Sequence, residues 1–131
     1  SRDNLHTVYL WGYGDRYPIA EIKNATLAQV EAAVSSIFGM TSSALAQNSL
    51  PDAAKLKALR KHTSLSKAQV TVFTHLPLIG VSSVTDPTGK TLYYEYDELG
   101  RLKRNYYYEN NIMQESEKRV LQEYDYHYRN Q

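Results

Sequence analysis

The sequence predicts an α+β fold, an antiparallel β-sheet of hairpins with a helical insertion packed on one face. Three patterns carry that expectation. Runs of β-branched and aromatic residues open the chain and return after Ala68, and between them the apolar spacing switches to the helical period. Tyrosine is over-used, with 12 residues in 131, and nine of them form three clusters: Tyr93, Tyr94 and Tyr96, then Tyr106, Tyr107 and Tyr108, then Tyr124, Tyr126 and Tyr128. A tyrosine ring packs on a cross-strand neighbour while its hydroxyl reaches water or a partner, so the clusters read as adjacent strands sharing a face.

In chain order, residues 6–13 read as a strand, Gly14-Asp15 as a turn and residues 17–23 as a second strand, which Pro18 places at or near a sheet edge. Thr26 and Gln29 form a capping box, which satisfies orphaned backbone donors at a helix start. Leu27, Val30, Val34, Ile37 and Phe38 keep helical spacing up to Gly39, a natural stop. Residues 41–47 carry a weaker helical signal. Ser49-Leu50-Pro51-Asp52 opens a third helix, with Ser49 as cap, Pro51 in the first turn and Asp52 favourable to the helix dipole. It should run to about residue 61, with Leu56 and Leu59 inward and Lys55, Lys57, Arg60 and Lys61 solvated.

Residues 69–76 and 81–85 then read as strands separated by Pro77 and Gly80. Asp86-Pro87-Thr88-Gly89 has the preferences of a type I turn and should join residues 81–85 to a strand at 91–97. Leu99-Gly100 supplies the next turn, residues 101–108 the next strand, residues 109–111 a turn and residues 119–128 the last strand. Residues 112–118 fit either a loop or a helical turn. The division is a single domain over 1–131: strands at about 6–23, the helical insertion at about 26–62 and a β-meander at about 69–128.

Composition narrows the function classes. Hydrophobic residues make up 42% and charged residues 22%, and no apolar run reaches the roughly 18 residues of a membrane-spanning helix. With 15 basic and 14 acidic residues the net charge is +1, which gives no large electrostatic term toward nucleic acid or an anionic membrane. The absence of cysteine excludes disulfides, thiolate metal sites and thiol catalysis. The chain opens Ser1-Arg2-Asp3 with no basic-then-apolar leader, which suggests a piece of something longer.

The turn segments repeat. Tyr94 to Leu102 aligns with Tyr9 to Tyr17, bringing Tyr94 onto Tyr9, Tyr96 onto Trp11 and Arg101 onto Arg16, and a third partial copy begins at Tyr124-Asp125-Tyr126-His127. Such internal repetition suggests a modular sheet in which each hairpin needs neighbours to cover its apolar face. Within the unit, Tyr94 and Tyr96 should share a face, Asp97 should accept turn amides, Gly100 permits the positive φ of a tight turn, and Arg101 can pair with a carboxylate or stack on a ring.

Gly89, Tyr94, Tyr96, Asp97, Gly100, Arg101 and Leu102 together resemble the RHS or YD repeat, whose signature is G-x-x-x-x-Y-x-Y-D-x-x-G-R-L. The match over residues 89–102 is complete and covers about a tenth of the chain. Segments around Trp11 to Tyr13, residues 17–25 and residues 124–128 resemble terminal regions of such bacterial proteins. The resemblance implies a very large cell-surface or secreted parent, whose repeats form a long β-ribbon that can coil into a shell, sometimes around a C-terminal toxin. This chain departs from it in having one complete repeat, a helical insertion and no toxin domain.

His6, His62, His75 and His127 show no metal-ligand spacing and fall on separate elements. There is no nucleophile elbow and no phosphate-binding loop. Glu95, Asp97, Glu98 and Asp125 lie near aromatics as a glycosidase pair would, but read better as a turn cap and solvated strand residues. Trp11 and Tyr13, with exposed tyrosines, are candidates for stacking on a sugar. The expectation is therefore a non-catalytic structural or interaction module of a larger RHS/YD-repeat protein, without cofactor or metal. Its partners would be neighbouring repeats, or a second copy through edge strands. A carbohydrate-binding module, with a glycan partner, is the alternative.

Overall fold

The computed structural model describes residues 5–126. Seven strands form one sheet in sequence order, each antiparallel to the next: β1 (His6–Gly12), β2 (Tyr17–Ala25), β3 (Gln69–Leu76), β4 (Gly80–Thr85), β5 (Thr91–Tyr96), β6 (Leu102–Tyr108) and β7 (Lys118–Glu123). The helices, α1 (Leu27–Phe38), α2 (Ser42–Ala46) and α3 (Ala53–Ala58), all lie between β2 and β3. Those two strands are hydrogen-bonded neighbours, so the helical segment is a long hairpin connection within one continuous meander. The architecture is α+β.

Local chemistry accounts for the helix ends. The Thr26 hydroxyl accepts from the Gln29 amide at 3.1 Å, the Gln29 side chain accepts from the Thr26 amide at 2.9 Å, and Gly39 closes α1 in the left-handed region. The Thr41 hydroxyl caps α2 through the Ala44 amide, and the Glu31 carboxylate accepts from both the Ser42 amide and hydroxyl. The cap of α3 is Asp52 rather than Ser49, because the Asp52 carboxylate accepts from the Ala54 and Lys55 amides. Pro51 precedes the helix and is buried, and a side chain at Gly12 would collide with it. The helix ends at Ala58 and tightens into a 3₁₀ turn over Leu59–Lys61, with another over Thr63–Leu65.

The core occupies the first half of the sheet. Cross-strand rows Val8–Ile22–Val70 and Leu10–Ala20–Val72 face Val30, Val34, Leu56, Leu59 and Leu65 from the helical segment. Burial of each such aliphatic side chain stabilises by roughly 1.5–3 kcal/mol. The inward stripe of α1 starts at Val30, with Ala33 in it, so Leu27 is 60% exposed instead of inward. The helices cover β1 to β3 only. Across the same face β4 contributes hydroxyls, with Ser83 and Thr85 buried and the Thr85 and Thr91 hydroxyls 2.8 Å apart. Beyond them β5 to β7 contribute tyrosines and ion pairs. The expected helical cover is therefore real but partial.

Strand ends differ from expectation by one or two residues: β1 stops at Gly12, β2 continues to Ala25, β4 begins at Gly80, β5 stops at Tyr96 and β6 begins at Leu102. Residues 109–111 and 115–117 form 3₁₀ turns, which resolves the 112–118 segment, and β7 ends at Glu123. The expected extension to residue 128 fails at 124–126, and residues 127–128 lie outside the described residues.

Candidate functional site

The functional surface is built from the hairpin turns outward. In the β4–β5 turn, one Asp86 carboxylate oxygen accepts from the Thr88 amide and hydroxyl and the Lys90 amide. In the β5–β6 turn, one Asp97 oxygen accepts from the Leu99 and Arg101 amides, at the same offsets from the aspartate. In both, the aspartate N–H donates to the carbonyl four residues on, and the glycine at the fourth position has a positive φ, 95° at Gly89 and 79° at Gly100. Gly89 is required twice over, since the Arg60 guanidinium packs where its side chain would be and donates to the carbonyls of Pro87 and Thr88. Arg60 thus ties the helical segment to the β4–β5 turn.

These hydrogen bonds favour the ionised carboxylates. The Asp86 pKa is lowered chiefly by the Thr88 hydroxyl, and that of Asp97 chiefly by the Arg101 amide, with the Arg101 side chain adding to it at 2.8 Å. Arg101 also lies over the Tyr126 ring, 4.3 Å from its centroid, so it both pairs and stacks.

The hairpins β1–β2, β3–β4 and β5–β6 share one irregularity. A single extra residue bulges on the returning strand of each, with register shifts between Leu10 and Trp11, between Thr74 and His75, and between Glu95 and Tyr96. Past each bulge, Trp11 pairs with Pro18, His75 with Val81 and Tyr96 with Leu102. His75 and Tyr96 each bond to the preceding hairpin, and Tyr126, past β7, bonds to the β5–β6 hairpin in the same way. His75 Nε2 donates to the Pro18 carbonyl at 2.7 Å, the Tyr96 hydroxyl to the Val81 carbonyl at 2.8 Å, and the Tyr126 hydroxyl to the Leu102 carbonyl at 2.8 Å. Each acceptor occupies the same register position in its hairpin. A side-chain clasp therefore recurs at three successive steps.

Around the first clasp, His75 stacks on Tyr17 with centroids 4.9 Å apart and meets Tyr13 edge-on, while its amide donates to the Tyr13 hydroxyl. The Tyr17 hydroxyl accepts from the Leu78 amide. At the second clasp, Tyr96 lies over Gly80, where a side chain would collide with the ring.

Further along, Tyr93 stacks on Tyr106 at 5.4 Å, Tyr108 meets both edge-on, and the Lys118 ammonium sits 4.2 Å from the Tyr106 centroid. Burial is the main cause of the raised pKa of Tyr93 and Tyr106. Beside the rings, Arg104 bridges Glu95 at 2.8 Å and Glu123 at 3.0 Å, linking three strands, and its hydrogen bond is the main cause of the lowered Glu95 pKa.

All seven residues of the repeat motif fall on this ribbon. Gly89, Asp97, Gly100 and Arg101 form turns, and Tyr96 and Leu102 form a clasp and its acceptor. Tyr94 opens onto the face opposite Tyr93, where it lines a cleft of about 540 Å³ with Leu92, Tyr107 and Leu121. Tyr93, Tyr106 and Tyr108 thus meet on one face across the adjacent strands β5 and β6, while Tyr94 and Tyr107 open onto the other. Of the stacking candidates, Trp11 is 42% exposed, but Tyr13 is buried with its hydroxyl engaged, so the two form no joint platform. Among the histidines, His62 caps a turn through the Ser64 amide, and no cluster of metal-ligating side chains occurs among the described residues.

The alignment of Trp11 with Tyr96 survives at the level of strand register. Beyond the turn it slips by one, because the first loop is one residue longer and Pro18, not Tyr17, stands opposite Trp11. The β3–β4 hairpin is a unit the sequence comparison missed. Its signal was a constant offset: His75 and Val81 each lie 21 residues before Tyr96 and Leu102. No family model, curated protein or solved structure matches the chain.

Proposed function

We propose that the chain is a non-catalytic structural and interaction module of a larger RHS/YD-repeat protein of the cell surface or a secreted one, in which successive hairpins add to a growing ribbon. The observation that carries this reading is the clasp made at three consecutive hairpin steps by His75, Tyr96 and Tyr126. A device repeated at fixed register serves addition of like units, and the bulges beside His75 and Tyr96 leave both clasps at the same position of their hairpins. Partners on this reading are neighbouring repeats or a second copy, joined through the β7 edge. The β1 side is less open, because α2 lies against β1 and the turn after it donates to the carbonyls of Ala46 and Asn48 at the end of α2.

A titration with a synthetic hairpin spanning residues 89–108 tests the proposal. Amides of β7 should gain protection from hydrogen exchange as peptide is added. Unchanged β7 exchange at millimolar peptide, with no self-association of the chain, would count against it. A sugar-binding module remains the second reading because Trp11 and Tyr9 are both exposed on β1. Glycan-array binding abolished by Trp11→Ala would favour it.

A further inference from the structure

Where the helical cover ends, a cleft of about 430 Å³ separates the α3 segment from the tyrosine ribbon, a size within the roughly 300–1,000 Å³ of ligand sites. Lys57 and Lys61 stand on the helical side, on either side of Arg60, while Tyr93, Tyr108, Asn111 and Met113 form the strand side. Among the described residues no carboxylate lines this cleft, and none lies in ion-pair range of Lys57 or Lys61. The chain as a whole is nearly neutral, so this is a local concentration of positive charge beside an aromatic and thioether wall. Arg60 is committed to the β4–β5 turn and holds the two walls in place. The tyrosine wall is fixed as well, by the stacking of Tyr93 on Tyr106 and the edge contact of Tyr108.

We infer that this cleft docks a short acidic peptide segment of a partner chain, with carboxylates facing Lys57 and Lys61 and an apolar side chain against Tyr93, Tyr108 and Met113. Charge complementarity selects the class. Two ammonium groups free of acidic partners meet carboxylates without first breaking an ion pair, and the rings and thioether accept an apolar residue between them. The contact is made on the sheet face, so it is distinct from the strand addition at β7 and stands or falls separately.

The test uses the full 131-residue chain and a fluorescein-labelled hexapeptide of alternating glutamate and phenylalanine, followed by anisotropy. Binding should weaken about tenfold in the double variant Lys57→Gln/Lys61→Gln and fall as salt is raised. The control pair Lys55→Gln/Lys67→Gln removes the same charge elsewhere and should leave binding unchanged, with circular dichroism verifying the fold of both. The inference is overturned if the peptide with glutamine replacing glutamate binds equally well, if both double variants bind alike, or if benzoate alone competes at equal concentration.

Discussion

The two halves of the sheet are stabilised by different physics. Under the helices, β1 to β3 are held by aliphatic burial, with Ile19, Ala20, Ile22 and Leu59 fully excluded from solvent. Beyond Thr91 the strands are half-buried or exposed, and what holds them is stacked rings, an arginine between two glutamates and hydroxyl clasps. The first half resembles an ordinary domain core. The second resembles a ribbon in which each strand is held by its contacts to the strands on either side.

The largest expected effect follows from breaking the covered half. Leu56, the buried residue of α3, is 1% exposed in the core, so Leu56→Ala should cost about 2–5 kcal/mol. Denaturant melts followed by far-ultraviolet circular dichroism should show loss of the whole fold. In the ribbon, Gly80→Ala should cost less, about 1–3 kcal/mol, by displacing the Tyr96 ring. Its hydrogen-exchange signature should be confined to β4–β7, with β1–β3 amides unchanged. Equal exposure of both halves by Gly80→Ala would erase the distinction.

The clasp itself is a finer probe. Tyr96→Phe keeps the ring over Gly80 and removes only the donor to the Val81 carbonyl, a loss of about 1 kcal/mol. The same bond gives an alkaline dependence. Burial first, and then Tyr94, raise the Tyr96 pKa, so its contribution is complete below the ordinary tyrosine range near 10. It is lost as pH rises through the raised value, where the phenolate faces a carbonyl with no proton to share. Wild type and Tyr96→Phe should therefore converge in stability at high pH.

Legibility in the sequence followed the range of the interaction. Turns and caps are local, and the Thr26 and Gln29 box, Gly39, and the aspartate turns at Asp86 and Asp97 could be read from a few adjacent residues. Ser49 and Asp52 both precede α3, and only the fold decides whether the serine hydroxyl or the aspartate carboxylate reaches the first amides. Tyr13 could not be distinguished from an exposed ring, since its burial depends on His75, 62 residues away. Which tyrosines of neighbouring clusters meet across strands was hidden for a similar reason. Consecutive tyrosines alternate faces, and single-residue bulges shift each strand's register against its partner without leaving a compositional mark. The cleft beside Lys57 and Lys61 was equally hidden, because a solvated-looking helix face acquires meaning only once Tyr93 and Tyr108 stand opposite it.

The smallest expected effect, and the most selective for the ribbon, is acid loosening. Folding lowers the pKa values of Asp86, Glu95 and Asp97, so the ionised forms are the ones the native turns and the Arg104 bridge prefer. Their stabilisation is present above the usual carboxylate range near pH 4 and disappears as pH falls through the lowered native values. Exposure limits each contribution, because solvent screens a surface carboxylate strongly. The β4–β7 amides should therefore begin to exchange freely at a pH where Ile22 and Val30 amides are still protected. In Asp97→Asn, whose side chain still accepts from the turn amides but no longer titrates, the Leu99 and Arg101 amides should lose that pH step. If they instead open at the same pH as in wild type, the carboxylate is not what holds the turn, and the ribbon's stability would have to be reassigned to its rings alone.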